Sequence, residues 1–146
     1  MATVLSAQWL TAAYEQLKGL RVLVVDDDLD YLRTMGLLVE ALGCTVQTCS
    51  SSAECLDSVI VFHPDVVLLD ISMPGMDGIE LAKILHGGVE PKKVTIIAVS
   101  GYSEQQIRQS VGDGQFCNYL TKPVSLERLH SALLDCTGRK LRELQS

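Results

Sequence analysis

Short aliphatic runs and helix-length amphipathic segments alternate along this chain, and that alternation constrains its fold more than any other feature. Val22–Val25, Val66–Leu69 and Val94–Val99, the last broken only by Thr95, are apolar runs rich in β-branched residues, with Thr45–Cys49 and Phe116–Leu120 as weaker strand candidates. Strands covered by helices on both faces lose the in-out alternation of half-exposed strands and read in this way. Helical starts lie between the runs. Ser51-x-x-Glu54 and Ser103-x-x-Gln106 fit a capping box, Asp77-x-x-Glu80 is a weaker relative, and Ser125 precedes a segment carrying Leu126, Leu129 and Leu133 on one face. Leu32, Gly36 and Val39 mark the helix after the first strand, ending near Gly43. The Ser103 segment has little besides Ile107 and Val111 to anchor it and is expected to be the least tightly held. Five strands alternating with five helices predict an α/β domain over residues 20–137, a doubly wound parallel sheet with right-handed crossovers.

The ends stand apart from that unit. In residues 1–19, Leu5, Trp9 and Ala13, with Leu10, Tyr14 and Leu17, form a broad apolar arc, and Gly19 is a natural helix stop. This extra N-terminal helix either packs on the domain or serves as a linker or dimer helix. Residues 138–146 read as a frayed, solvated tail. No apolar stretch exceeds four residues, far short of the roughly 20 that a membrane helix needs, and no basic residue precedes an apolar block at the start. The expected location is the cytoplasm. The five cysteines (44, 49, 55, 117, 136) are odd in number, with no CxxC, and are expected to be reduced, buried thiols rather than disulfides or a metal site.

A net charge of −6 argues against a nucleic-acid-binding surface, but the distribution of acids is more informative than their sum. Asp26, Asp27, Asp28 and Asp30 fall within five residues, which looks like a site. In open α/β sheets, ligands bind beyond the carboxyl ends of the strands. The first strand is followed by Asp26-Asp27, the third by Asp70, the fourth by Ser100 and the fifth by Lys122-Pro123. Three carboxylates, a hydroxyl and an ammonium therefore converge. Carboxylates at about 4 Å repel by about 4 kcal/mol per pair at an effective dielectric near 20, so the site retains a proton or takes a cation. Oxygen ligands without His or Cys favour Mg²⁺, which keeps waters and accepts phosphate oxygens. Lys122 would neutralise the carboxylates of an empty site and bind phosphoryl oxygen in a loaded one, with Ser100 donating a hydrogen bond to the same group.

Val-Leu-Val-Val-Asp26-Asp27-Asp28, Leu-Leu-Asp70-Ile-Ser-Met-Pro-Gly-Met-Asp77-Gly78, Ala-Val-Ser100-Gly101 and Tyr119-Leu-Thr-Lys122-Pro123 together resemble the receiver domain of two-component response regulators. The resemblance implies a flavodoxin-like receiver fold of strand order 2-1-3-4-5, an order that reverses direction beside the first strand and so opens a crevice there. It implies that Asp70 accepts a phosphoryl group from a histidine kinase or histidine phosphotransfer protein. It further implies that Asp26, Asp27, Asp70 and the backbone carbonyl of Ser72 bind Mg²⁺. Lys122 corresponds to the family lysine, with Pro123 following through a cis bond. Ser100 and Tyr119 correspond to the switch pair, Tyr119 turning inward on activation, and Gly101 to a small residue leaving room for the phosphoryl group. Tyr102 and Ser72 occupy variable positions at the mouth, and a bulky Tyr102 is expected to slow hydrolysis of the acyl phosphate.

Such a protein is a phosphoacceptor with self-catalysed transfer and autodephosphorylation, not a turnover enzyme. It would signal to a downstream protein through the face of the domain's fourth helix, fifth strand and fifth helix, with a homodimer as a separate possibility. Only ten residues follow Cys136, so it acts alone or is a receiver from a longer chain such as a hybrid histidine kinase, which the linker-like first helix favours. Two alternatives carry different chemistry. A pseudo-receiver would keep the fold without phosphorylation. A haloacid-dehalogenase-type phosphatase would use Asp26-x-Asp28-x-Asp30, but no acidic pair follows Lys122, a cap domain is lacking, and Asp70 would go unused. Met73 and Met76 read as loop anchors, and His63, His86 and His130 as non-functional.

Overall fold

A computed structural model describes residues 6–71, 78–86, 94–111 and 116–138, apart from the side chains of His86, Glu104, Arg108, Ser110 and Val111. Five parallel strands, β1 (Arg21–Val25), β2 (Thr45–Cys49), β3 (Val66–Asp70), β4 (Thr95–Ser100) and β5 (Asn118–Thr121), form one sheet in the order β2-β1-β3-β4-β5. The helices are α1 (Ala7–Leu17), α2 (Leu29–Ala41), α3 (Ser52–Phe62), α4 (Gly78–His86), α5 (Glu104–Val111) and α6 (Leu126–Thr137). The expected doubly wound sheet and its strand order are what the chain adopts.

Central β3 is buried at every position, which explains its unbroken apolar run. Its side chains alternate between two cores. Val66 and Leu68 join Val22, Val24, Ile97, Leu120, Leu129 and Leu133 on one side; Val67 and Leu69 join Leu23, Val25, Ile96, Ala98, Leu81 and Tyr119 on the other. Ser51, Ser103 and Ser125 cap their helices, accepting hydrogen bonds from the N–H groups of Glu54, Gln106 and Arg128 at 3.2 Å each. Gln106 returns the bond by accepting from the Ser103 N–H at 2.9 Å, which completes the box. Asp77, and the Val111 side chain expected to anchor α5, fall outside the description, whereas Ile107 is buried in the second core.

Boundaries move by a residue or two in every strand but β2: β1 starts at Arg21, β4 runs Thr95–Ser100 and β5 ends at Thr121. β3 extends one residue to Asp70, because the ladder with β4 continues to the Asp70–Val99 pair. β5 begins at Asn118, not Phe116, although the Cys117 N–H still bonds the Ile96 carbonyl at 2.8 Å. The expectation for the cysteines holds for Cys44, Cys49 and Cys55, which are buried thiols, and fails for the other two: Cys117 and Cys136 are joined as a disulfide. They lie 19 residues apart in sequence, and the return of α6 across the sheet brings their Cα atoms to 5.9 Å, a proximity that spacing alone does not encode.

Helix α1 packs on the domain. Ala13 and Leu17 enter the first core, and the Trp9 ring meets His130 of α6 edge-on at 5.0 Å. Gly43, at φ +98°, lets the backbone of Tyr14 approach so closely that a Cβ there would stand 2.6 Å from the Tyr14 carbonyl oxygen. Tyr14 itself is largely exposed, and Leu5 lies outside the described residues. Among the described residues, no helix is long and apolar enough to cross a membrane.

Candidate functional site

The parallel register brings the ends of β1, β3, β4 and β5 to one edge of the sheet, and the acidic run after β1 divides its labour there. Asp26 sits just past the ladder, its N–H bonded to the Cys49 carbonyl at 3.1 Å, and only 1% of it is exposed. One carboxylate oxygen accepts from the Asp28 N–H at 2.9 Å and the other from the Lys122 ammonium at 2.8 Å. Asp28 turns away from the pocket and caps α2, accepting from the N–H groups of Asp30 and Tyr31 at 3.0 and 3.2 Å. Asp30, in the first turn, favours the positive end of the helix dipole. Only Asp26 and Asp27 of the four remain for the pocket.

Asp70, at the end of β3, is buried to 6% exposure and lies 3.8 Å from the Lys122 ammonium. Each of Asp26, Asp27 and Asp70 offers a carboxylate oxygen within 4.8 Å of the others, with Asp27 exposed toward solvent. Burial works against the Lys122 ammonium, but the hydrogen bond to Asp26 and the fields of Asp70, Asp26 and Asp28 outweigh it and hold its pKa above the ordinary lysine value. One ammonium faces three carboxylates, so the donor set of hard, charged oxygens fits a divalent ion such as Mg²⁺. Ser72, whose carbonyl the resemblance adds to the metal ligands, and Met73 and Met76 lie outside the described residues.

Ser100 is fully buried at the end of β4, and its hydroxyl oxygen accepts from the Tyr102 N–H at 3.0 Å. The Lys122 N–H bonds the Ser100 carbonyl at 2.7 Å, so the two strand ends hold each other in register. A Cβ on Gly101 would meet nothing within 4 Å, and Tyr102 is 60% exposed. Tyr119 is buried on the far face of β5, its ring edge-on to Phe116 at 5.7 Å, so it is inward in this structure. The Lys122–Pro123 bond is cis. Gly78 opens α4 directly against Ile71 and the Asp70 carbonyl, where an added Cβ would overlap the Ile71 backbone and stand 2.8 Å from that oxygen.

Sequence reasoning missed Tyr31. Its ring carries the Lys122 ammonium 4.2 Å from the centroid, and its hydroxyl is buried without a hydrogen-bond partner. Burial, then the fields of Asp26 and Asp70, push the phenol well above its ordinary pKa. The available signal was its place in the first turn after the Asp28 cap, beside the acidic run. His63 ends α3 in the left-handed region at φ 54°, and His130 contacts Gln16 of α1 at 2.7 Å; neither enters the pocket.

The family profile described as response regulator receiver domain matches residues 22–134. The signal transduction histidine-protein kinase BarA of Escherichia coli is 30% identical over 116 residues, 80% of this chain and 13% of BarA; the chain thus spans a small fraction of that relative. Protein PilG of Pseudomonas aeruginosa is 32% identical over 122 residues, covering 82% of this chain and 88% of PilG. A response regulator receiver domain protein from Clostridium thermocellum superposes with a TM-score of 0.73 at 26% identity, over 86% of this chain and 98% of that one.

Proposed function

This chain belongs to the response regulator receiver domain family, and from that membership we propose that it is a phosphoacceptor whose Asp70 takes a phosphoryl group from a phosphohistidine donor. The observation that carries the proposal is the convergence of Asp26, Asp27 and Asp70 within 4.8 Å of one another, with Lys122 between Asp26 and Asp70. The receiver unit spans residues 20–137, with α1 as an appended helix. A carboxylate oxygen of Asp70 attacks phosphorus in line. The O–P bond forms as the N–P bond to the donor imidazole breaks, and the leaving ring nitrogen takes up a proton. Asp26, Asp27, Asp70 and the Ser72 carbonyl would hold Mg²⁺, which when bound supplies positive charge against the phosphoryl oxygens.

Lys122 stands within reach of both buried carboxylates, so its ammonium can turn from Asp26 toward a phosphoryl oxygen without crossing the pocket. The Ser100 hydroxyl accepts from the Tyr102 N–H and keeps its proton to donate to the same group. That bond favours the conformer in which Ser100 lies toward Asp70 and Tyr119 lies inward, a population shift bounded by how much better the phosphoryl group binds one conformer. The α5–β5–α6 face, which corresponds to the fourth helix, fifth strand and fifth helix of the domain, is then read by a protein partner or a second copy. Exposed Tyr102 limits the approach of water to the acyl phosphate, so the protein dephosphorylates itself slowly and does not turn over substrate.

The donor is a histidine kinase or a histidine phosphotransfer protein, and the site works in the cytoplasm. Similarity over most of PilG supports a stand-alone regulator, and similarity to a segment of BarA supports a receiver joined to a kinase. Acetyl phosphate with Mg²⁺ should label the protein stoichiometrically, read as intact mass, and Asp70→Asn should abolish the label. An unlabelled wild type would return the pseudo-receiver reading. Steady hydrolysis of a generic phosphate ester surviving Asp70→Asn would return the phosphatase.

A further inference from the structure

Cys117 is exposed and immediately precedes β5, whereas Cys136 is half-buried in the last turn of α6. The other three thiols are buried, so a soluble reagent meets the Cys117–Cys136 pair first. The pair lies at the amino ends of the strands, across the sheet from Asp70, and takes no part in the chemistry there. From this placement we propose that Cys117–Cys136 is a reversible thiol–disulfide site, opened by a dithiol reductant and closed by a small-molecule disulfide, whose state sets how firmly β5 and α6 are held together.

The exchange balances in two steps. A reductant thiolate attacks the sulfur of Cys117, the more exposed residue of the pair, the S–S bond breaks, and Cys136 leaves as a thiolate that takes up a proton. The second reductant thiol then attacks the mixed disulfide at its own sulfur, loses its proton, and releases Cys117 as a thiol. Two electrons and two protons have passed to the protein, and the reductant is now a disulfide. Closure runs the same steps backward, with an added disulfide reduced to two thiols.

The surrounding packing lets the bond open without unfolding the domain. Leu129, Ala132 and Leu133 still bury α6, and the ladder with β4 still holds β5. What the bond restrains is local: Cys117 adjoins Phe116, whose ring backs Tyr119 at 5.7 Å. Opening the bond frees the start of β5 from α6 and loosens the packing behind Tyr119. The exchange chemistry stands by itself, whereas its consequence for switching rests on the phosphoacceptor reading.

The test uses the full chain under native conditions, with maleimide adducts counted by intact mass. Oxidised protein should take none; after dithiothreitol it should take two, mapped to Cys117 and Cys136, and glutathione disulfide should restore the unreactive form. Amide exchange in β5 and the last turn of α6 should accelerate about tenfold on reduction. A Cys117→Ser/Cys136→Ser variant should show the fast exchange in either buffer. Adducts that appear only after denaturation, or exchange that ignores the redox state, would overturn the site. Acetyl phosphate labelling on the same samples separates the two proposals. Loss of label in both redox states defeats the phosphoacceptor reading and leaves the thiol counts standing; equal phosphoryl lifetimes in both states defeat the link to Tyr119.

Discussion

Asp26, Asp27 and Asp28 are consecutive, yet one is buried against Lys122, one faces solvent beside the pocket, and one caps a helix. Residue identity cannot separate those roles; the end of β1 and the start of α2 do. Tyr31 is the residue-scale consequence that was not legible, because its contact with Lys122 crosses 91 positions of sequence. Removing only its hydroxyl deletes a buried polar atom that has no partner, which costs about 1–3 kcal/mol to keep. Tyr31→Phe should therefore raise the melting temperature and leave beryllofluoride affinity within about twofold, since the ring still faces the ammonium. Tyr31→Leu removes that face, worth about 0.5–2 kcal/mol, and should weaken beryllofluoride binding about two- to tenfold by isothermal titration. Equal affinities for Leu and Phe would show that the ring does not position Lys122. Gly78 allows a sharper test. Its Cβ would press on the Ile71 backbone and the Asp70 carbonyl, neither of which is the end of a flexible side chain. Gly78→Ala should cost about 1–3 kcal/mol in urea unfolding, against the small gain expected of alanine at an unhindered helix position.

At the scale of elements, the apolar runs and capping boxes located four of the five strands to within a residue, because fully buried strands and capped helices write their physics locally. The start of β5 depends on where its ladder with β4 begins, and the Cys117–Cys136 bond on how α6 returns over the sheet, and neither is written in the local sequence. The first helix was readable as amphipathic, but not what it covers. The structure places it against α6, with His130 between Trp9 and Gln16. Burial holds the His130 pKa below its ordinary 6.5, so the folded state disfavours the proton while the unfolded chain takes it up normally. The stability from the neutral ring is therefore complete above about pH 6.5 and is lost as pH falls through the lower folded value. Trp9 is the only tryptophan in the chain, so its emission reports this contact. Melting temperature and Trp9 emission should both change as pH drops from about 7.5 to 5, and His130→Asn should flatten much of that dependence. An unchanged slope would place the titration elsewhere.

Across the whole molecule, the strand order decides what the separate motifs become. Asp26, Asp70 and Lys122 are far apart in sequence, and a register that pairs Asp70 with Val99 and Ser100 with Thr121 brings their strand ends to one edge. That convergence was foreseeable from topology, whereas the 4.8 Å spacing of the carboxylates was not. The arrangement has a stability cost without a cation, and the exposed member reveals it best. Asp27 adds negative charge next to Asp26 and Asp70 but is not the acceptor of the Lys122 hydrogen bond. Replacing it should relieve repulsion while removing a metal ligand, so its effects on the two states have opposite signs. At about a hundred times its Kd, a ligand that binds only the folded state stabilises it by about 2.7 kcal/mol. In a chain of this size that corresponds to a rise in melting temperature of about 5–11 °C for the wild type with Mg²⁺. Asp27→Asn should melt slightly higher than wild type in chelator and gain far less from Mg²⁺, so the two melting curves exchange order when the ion is added. A variant that melts lower in chelator and retains the full gain would mean that Asp27 neither strains the pocket nor holds the ion.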